Sequence, residues 1–178
     1  MNSNGVSVQL YKKIFCNQLL EINQQILDHI YQLPFEQEKF WNTTPVLEFM
    51  QAVPLLRNWL LQNDLPVKSV AITRGLGPNC CGPHTDTPPS RYKLSWPILN
   101  TEKTWNRWFR ATPDACVKIN SLGGTSYLDP GALIEIDRMQ VDQPAIIATG
   151  VPHDVWCEPD AKFPRWGLQC QLFNEPQL

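Results

Sequence analysis

Apolar residues recur at helical spacing in the first third of the chain. Between residues 19 and 33 they fall every three or four positions, at Leu19, Ile22, Ile26, Ile30 and Leu33. This spacing predicts an amphipathic helix with one buried stripe, and Pro34 is expected to end it. A second helix is predicted from Thr44, as N-cap, to about Gln62.

Two prolines shape this second predicted helix. Pro45 would occupy its first helical position, where a missing N–H costs nothing, and Glu48 would lie in its first turn. Pro54 lies in its interior and should kink or split it, because proline cannot donate the helical hydrogen bond. The first 65 residues are therefore predicted to be helical.

Beyond Pro66 the pattern changes to short strands separated by turns. Apolar residues alternate with other residues in five places: Val70 and Ile72; Leu94, Trp96 and Ile98; Val117 and Ile119; Ile134 and Ile136; Leu168, Cys170 and Leu172. Residues 144–149 are a continuous apolar run, as in a strand buried on both faces. Glycine- and proline-rich turns separate these segments, which is typical of a β-sandwich or barrel.

The predicted architecture is one mainly β domain. Residues 1–65 would form a helical support, and residues 66–174 would form a double-stranded β-helix, the jelly-roll or cupin-like core. A chain of 178 residues is long enough to bury a sizeable core within a single domain.

The composition of the chain argues against some classes of function. The net charge is −2 and the sequence pI is about 5.9, so there is no basic excess for binding phosphates and nucleic acid is not an expected partner. No apolar run reaches the roughly 20 residues that a membrane helix needs, and no signal peptide is recognised. The six cysteines form no Cys-x-x-Cys pair. We expect a soluble cytoplasmic protein with free thiols.

The candidate chemistry lies with two of the three histidines. His84 and Asp86 are two residues apart, so on an extended chain their side chains share a face. Together with His153 they can form the 2-His-1-carboxylate triad, which leaves coordination positions open on iron(II). An alternative is that PHTDTPP is only a turn in which Asp86 accepts backbone hydrogen bonds. His29, in the first predicted helix, is expected to be structural.

Arg165 follows at the start of the last predicted strand. A permanently charged, bidentate donor near the metal is suited to hold a dicarboxylate co-substrate. In a regular strand Arg165 shares a face with Gly167, Gln169 and Gln171, opposite the apolar residues. Either this polar face lines the co-substrate cavity, or a bulge after Pro164 shifts the register.

Two segments carry a resemblance to a known family. They are ITRGLGPNCCGPHTDTPPSRYKLSWPIL (72–99) and PAIIATGVPHDVWCEPDAKFPRWGLQCQLF (144–173). They resemble the iron(II)/2-oxoglutarate-dependent oxygenases, and within these most closely the aspartyl/asparaginyl β-hydroxylase branch. The second segment is similar to that branch in its buried strand, its His, its Val-Trp pair and its Arg entering the final strand.

The resemblance implies a role for each matching residue. His84 and His153 match the two metal-binding histidines, and Asp86 stands where the branch can carry a glycine. Arg165 matches the arginine that pairs with the far carboxylate of 2-oxoglutarate. Because Asp86 is present, the resemblance implies that this chain has all three ligands of the His-Asp-His triad found in the wider superfamily.

Three further positions are implied by the same resemblance. Thr73 falls where the branch has a hydroxyl residue that helps the arginine. Lys93 falls where it has a basic residue near the metal-side carboxylate of the co-substrate. Ser95 replaces a second histidine, so this polar contact is changed or lost.

The function that the resemblance implies is hydroxylation of an amino-acid side chain, free or in a peptide or protein. The cofactors would be Fe(II), 2-oxoglutarate and O2, with no catalytic residue beyond the metal site. One alternative is an iron-dependent cupin-type enzyme that does not use 2-oxoglutarate. A second alternative is a non-catalytic jelly-roll binding module with a vestigial metal site.

The sequence TWNRWFR (104–110) allows three interpretations. Trp105, Trp108 and Phe109 can fill the core, line a substrate cleft, or stack single-stranded bases between Arg107 and Arg110. The adjacent Cys80 and Cys81 are poorly placed to chelate a metal together with His84, and we expect structural or incidental roles for them.

Overall fold

The computed structural model describes residues 9–33, 41–78, 82–86, 91–120 and 123–174. The helices within these ranges are α1 (Leu19–Ile30), α2 (Val46–Ala52) and α3 (Pro54–Gln62), and Pro130–Ala132 forms a 3₁₀ turn. None of these helices is long and apolar enough to cross a membrane.

Strands make up most of the regular structure. In chain order they are β1 (Tyr11–Lys13), β2 (Trp41–Thr44), β3 (Val67–Gly75), β4 (His84–Thr85), β5 (Tyr92–Leu99), β6 (Thr104–Ala111), β7 (Val117–Ile119), β8 (Thr125–Tyr127), β9 (Leu133–Gln140), β10 (Ala145–Ala148), β11 (His153–Cys157) and β12 (Arg165–Leu172). The prediction of a mainly β protein is confirmed.

The strands form two antiparallel six-stranded sheets. The helix-side sheet has the order β1-β10-β5-β12-β3-β2, and the facing sheet has the order β7-β8-β4-β11-β6-β9. Successive strands often change sheet, since β3, β5, β10 and β12 belong to the first, and β4 and β11 to the second. The arrangement is consistent with a β-sandwich.

The larger core lies between the helices and the helix-side sheet. The predicted stripe of α1 is confirmed, because Ile22, Ile26 and Ile30 are all buried. They pack with apolar residues of β5 and β12, among them Trp96 and Leu168. A second, smaller apolar cluster joins residues of both sheets: Leu10, Trp108, Met139, Ala145, Ile147 and Ala148.

The helical prediction for the first 65 residues is partly wrong. β1 pairs with β10, and β2 pairs with β3, so both are edge strands of the helix-side sheet. Their pairing partners lie far along the chain, and local periodicity does not report such pairing. The predicted helix end at Pro34 lies outside the described residues.

The second predicted helix is split by Pro54, which begins α3. The assignment of Thr44 as N-cap is wrong, because Thr44 ends β2 and Pro45 stands at the cap position of α2 without a side-chain cap. Strand pairing of residues 41–44 with β3 competes with helix initiation there and prevails.

Strand β6 was missed because its apolar residues do not alternate. Trp108 and Phe109 are consecutive, yet both are buried. The pairing of β6 with β9 shifts between these two residues, with Ile136 of β9 as the extra residue, so the two buried side chains remain on opposite sides of β6. The predicted strands around Ile134 and Ile136 are present in β9, but these two side chains are exposed because β9 is an edge strand.

Candidate metal centre

The two strand histidines are direct cross-strand neighbours. β4 pairs with β11 so that His84 lies opposite His153, and the centroids of the two rings are 4.6 Å apart. Asp86 follows β4, and its backbone N–H donates to the carbonyl of Thr149 over 2.9 Å. The structure thus brings all three residues together, with one ligand atom of each within 4.8 Å of the others. This group can hold a metal ion.

Backbone carbonyls orient both imidazole rings. Nδ1 of His84 lies 2.9 Å from the carbonyl oxygen of Gly82, and Nδ1 of His153 lies 2.9 Å from that of Val151. Because a carbonyl oxygen only accepts, Nδ1 carries a proton in each ring, so Nε2 is the nitrogen that a neutral ring can offer to a metal. Histidine ligands of metal sites commonly have such a second hydrogen bond.

The two oxygens of the Asp86 carboxylate have different neighbours. Oδ1 lies 3.7 Å from Nε2 of His84, whereas Oδ2 lies 2.7 Å from the ammonium of Lys93. Lys93 belongs to β5, so this ion pair links the two sheets. An Oδ2 held by Lys93 leaves Oδ1 as the oxygen that faces the histidines, which favours monodentate binding of a metal.

The protonation states also fit metal binding. Burial, with help from the nearby His84, lowers the pKa of His153 from 6.5 to about 4. Burial raises the pKa of Asp86, but the charges of Lys93 and the two histidines outweigh it and hold that pKa below its ordinary value. At neutral pH the site therefore offers a neutral imidazole and an ionised carboxylate, the forms that bind metal.

A glycine fixes the short strand β4. A Cβ atom on Gly124 would lie 2.3 Å from the carbonyl oxygen of Thr85. Backbone therefore approaches backbone here more closely than any side chain allows. Sequence reasoning assigned Gly123-Gly124 only to a turn and missed this contact beside the metal ligands.

Arg165 lies at the start of β12 and is only 5% exposed. A Cβ atom on Gly167 would lie 3.0 Å from Oγ1 of Thr73 and 3.7 Å from Nη1 of Arg165. The guanidinium thus extends over Gly167, on the same face as Thr73. Nε of Arg165 is buried without a hydrogen-bond partner, and no described carboxylate pairs with this side chain.

The register of β12 shows how Arg165 faces away from the apolar core. β12 pairs with β3 without a shift from Arg165 to Gln171. In its pairing with β5, Trp166 lies opposite Leu99 and the next residue, Gly167, lies opposite Pro97. The extra residue of this irregularity is therefore on β5. The alternative of a bulge after Pro164 is wrong, because β12 keeps its register with β3 there, and Arg165 lies on the face opposite Trp166 and Leu168 of the helix-side core.

The remaining predicted residues lie along this inner polar face. Gln171 pairs with Lys93 and lies six positions after Arg165, so the backbones at the two ends of the face are roughly 20 Å apart along the strand. The Gln169–Ser95 pair lies between them, and Ser95 is buried. Thr73 donates its hydroxyl to the carbonyl of Gly167 over 3.1 Å, and within the described chain it forms no hydrogen bond with the guanidinium of Arg165.

The far side of β11 carries an ion pair that sequence reasoning missed. Asp154 accepts two hydrogen bonds from Arg107, from Nε at 2.9 Å and from Nη2 at 2.6 Å. The guanidinium also lies over the rings of Phe109 and Trp156, at 5.3 and 5.4 Å from their centroids. The pair joins β6 to β11 directly beside His153, and only the strand register reveals it.

The same contacts answer the question about TWNRWFR. Trp108 is fully buried, and its indole N–H donates to the carbonyl of Ala148 over 2.8 Å. Phe109 is 7% exposed, and Arg107 is engaged with Asp154. Trp108 therefore fills the interior between the sheets, whereas Phe109 is covered on the side of the Arg107–Asp154 pair. Cys80 and Cys81 lie outside the described residues.

Comparison with known proteins adds no relative. No family model matches this sequence, and no curated protein matches it. The case for a function therefore depends on the residues and geometry of the site.

Proposed function

We propose that this protein is an iron(II)/2-oxoglutarate-dependent dioxygenase that hydroxylates an amino-acid side chain, free or in a peptide or protein. One observation carries the proposal: beside a His-Asp-His group able to hold a metal, the chain has a buried arginine on the face of β12 opposite the helix-side core, with no carboxylate partner among the described residues. A structural arginine buried to this degree would normally be paired.

The donor set suits iron(II). Two imidazole nitrogens and one carboxylate oxygen on one side of an ion leave further positions open for a co-substrate and oxygen. Iron bound there would supply the dioxygen chemistry that protein side chains lack. His84, His153 and Asp86 would hold the ion, and the carbonyls behind the two rings would keep their Nε2 atoms directed at it.

The inner polar face suits a dicarboxylate. The buried Nε of Arg165 lacks a partner, and the small Gly167 gives its guanidinium room to extend along the strand. A carboxylate that accepts from this guanidinium would satisfy the orphaned donor. Lys93 lies beside Asp86, and its charge would favour an anionic group bound at the metal.

The strand order supports a double-stranded β-helix as the fold behind this site. The chain passes from β3 to β4 to β5 to β6 by changing sheet at each step, and does so again from β9 through β12. Such crossing between two sheets is how a jelly roll is built. We further propose a cytoplasmic location, in line with the free thiols of Cys16, Cys116, Cys157 and Cys170.

The test is anaerobic titration of the iron(II)-loaded protein with 2-oxoglutarate, followed by the visible charge-transfer band of the chelate. Arg165→Gln removes the charge of the anchor, and Arg110→Gln, at an exposed position, is the matched control. We expect a band that saturates in the wild type and in the control, and a dissociation constant at least roughly tenfold higher in Arg165→Gln.

The other outcomes separate the alternatives. Bound iron without a band would contradict the 2-oxoglutarate proposal and favour a cupin-type iron enzyme. Failure to bind iron would favour a non-catalytic module. Iron stoichiometry and a thermal melt of Arg165→Gln distinguish loss of the anchor from loss of the fold.

A further inference from the structure

A cavity of about 460 Å³ lies beside Asp86. Its wall includes Thr85, Asp86, Arg91, Tyr92, Gly124 and Gly150. Arg165, Thr73 and Lys93 do not line it, so it is distinct from the inner polar face. Asp86 is therefore both a member of the candidate metal site and part of the wall of this cavity.

Backbone contacts fix the position of Arg91 on this wall. Its carbonyl accepts from the N–H of Thr149 over 2.7 Å and from that of Gly150 over 3.2 Å. The same Thr149 accepts the backbone N–H of Asp86. The start of β5 is therefore tied to the turn that holds a metal ligand, and a Cβ atom on Gly150 would contact the stem of Arg91 at 3.5 Å.

The charges on the wall are unbalanced in favour of an anion. Asp86 and Arg91 are the charged residues among those that line the cavity. The carboxylate of Asp86 is already paired with Lys93 at 2.7 Å. Arg91 forms no ion pair with any described residue, and its side chain is exposed at the cavity. A guanidinium in this position can bind a carboxylate with two parallel hydrogen bonds.

We propose that this cavity is the substrate site and that Arg91 binds a carboxylate of the substrate. This inference rests on the proposed function and specifies its substrate class as a carboxylate-bearing amino acid or peptide. Pairing with Arg91 would place the bound molecule in the cavity that Asp86 also lines. The carboxylate can be that of a free amino acid or of an acidic side chain in a peptide.

The experiment is anaerobic calorimetric titration of the protein loaded with iron(II) and saturating 2-oxoglutarate, which fills the Arg165 site first. One set of probes is the free L-amino acids, each beside its α-amide. The other set is N-acetylated, C-amidated Gly-Xaa-Gly peptides with Asp or Glu, beside those with Asn or Gln. The variants are Arg91→Gln, Arg91→Lys and, as matched control, the exposed Arg57→Gln on α3.

We expect at least one carboxylate probe to bind the wild type and Arg57→Gln, and its neutral counterpart to bind at least roughly tenfold more weakly. Arg91→Gln should lose this preference, and Arg91→Lys should keep part of it, because lysine retains the charge without the bidentate fork. The probe set that responds identifies the source of the carboxylate.

Equal binding of acids and amides, unchanged binding in Arg91→Gln, or no binding of any probe would overturn the inference. The charge-transfer band of the 2-oxoglutarate complex tests the proposed function separately, and Arg91→Gln should leave it unchanged. A missing band together with Arg91-dependent binding of carboxylates to the iron-loaded protein would refute the proposed co-substrate and leave the carboxylate site standing.

Discussion

The two faces of β12 differ completely in character. Toward the helices, Trp166, Leu168 and Cys170 are buried in the larger apolar core. Toward the facing sheet, the same strand presents Arg165 and Gly167 to the inner polar face. Successive side chains of a strand point to opposite sides, so one eight-residue strand both anchors the fold and carries the proposed co-substrate site.

The difference between the two faces suggests that the helix side contributes mainly to stability and the inner side mainly to binding. Substitutions on the helix side remove apolar contacts and should lower the free energy of unfolding. Substitutions on the inner side should alter binding and leave that free energy nearly unchanged. Three changes, taken in order of decreasing effect on the free energy of unfolding, test this division.

The largest loss of stability is expected for Leu168→Ala. Leu168 is 1% exposed, and its truncation would leave a cavity between β12 and the helices. We expect the free energy of unfolding to fall by about 3 kcal/mol, measured by urea denaturation. Gln169→Ala, one residue away on the inner face, is the control and should cost less than about 1 kcal/mol. Equal losses in the two variants would contradict the division between the faces.

A smaller loss of stability is expected when the metal-free protein is acidified. The pKa of His153 falls from 6.5 to about 4 on folding, so the unfolded chain binds the proton more tightly and stability is lost as the pH drops below 6.5. Between pH 7 and pH 5 this residue should account for about 2 kcal/mol of the free energy of unfolding. Urea denaturation of the chelator-treated protein at the two pH values measures it.

His153→Gln is the control for the acid effect. It lacks the titrating ring, so its stability should change much less over the same interval. The pKa of Asp86 is shifted downward, and its contribution is lost only at more acidic pH, as that carboxylate becomes protonated. An equally steep dependence in His153→Gln would show that another group causes the acid effect.

The smallest effect on stability is expected for Gly167→Ala. The added methyl group would lie 3.0 Å from Oγ1 of Thr73 and in contact with the guanidinium of Arg165. We expect several-fold weaker binding of 2-oxoglutarate to the iron-loaded protein, with less than about 1 kcal/mol change in the free energy of unfolding. Gly77→Ala is the matched control, because nothing lies within 4 Å of a Cβ atom there. Unchanged affinity in Gly167→Ala would remove the support for a carboxylate beside Arg165.

The elements that the sequence predicted well are those whose pattern is local. The stripe of α1 is buried as predicted. The apolar residues predicted for β5 and β12 are also buried, apart from the half-buried Leu172, although several residues between them are buried as well. The same holds for His84 and Asp86, whose spacing implies one face of an extended chain. The continuous apolar run at β10 is buried throughout, as predicted.

Other features escaped prediction because they depend on pairing between distant segments. β1 and β2 are strands only through their partners in the helix-side sheet. The pairing of Arg107 with Asp154 follows from the register of β6 against β11. Lys93 was expected near the co-substrate, yet its contact with Asp86 could not be read from residues seven positions apart on different sheets.

By itself the sequence determined which residues bear the chemistry: two histidines, an aspartate and an arginine in a mainly β chain. Only the tertiary structure decided that His84 lies opposite His153, that Lys93 holds the second oxygen of Asp86, and that Arg91 borders a cavity. The physical reason is that periodicity follows from the geometry of one strand or helix, whereas these contacts depend on the register between strands that the chain brings together from far apart.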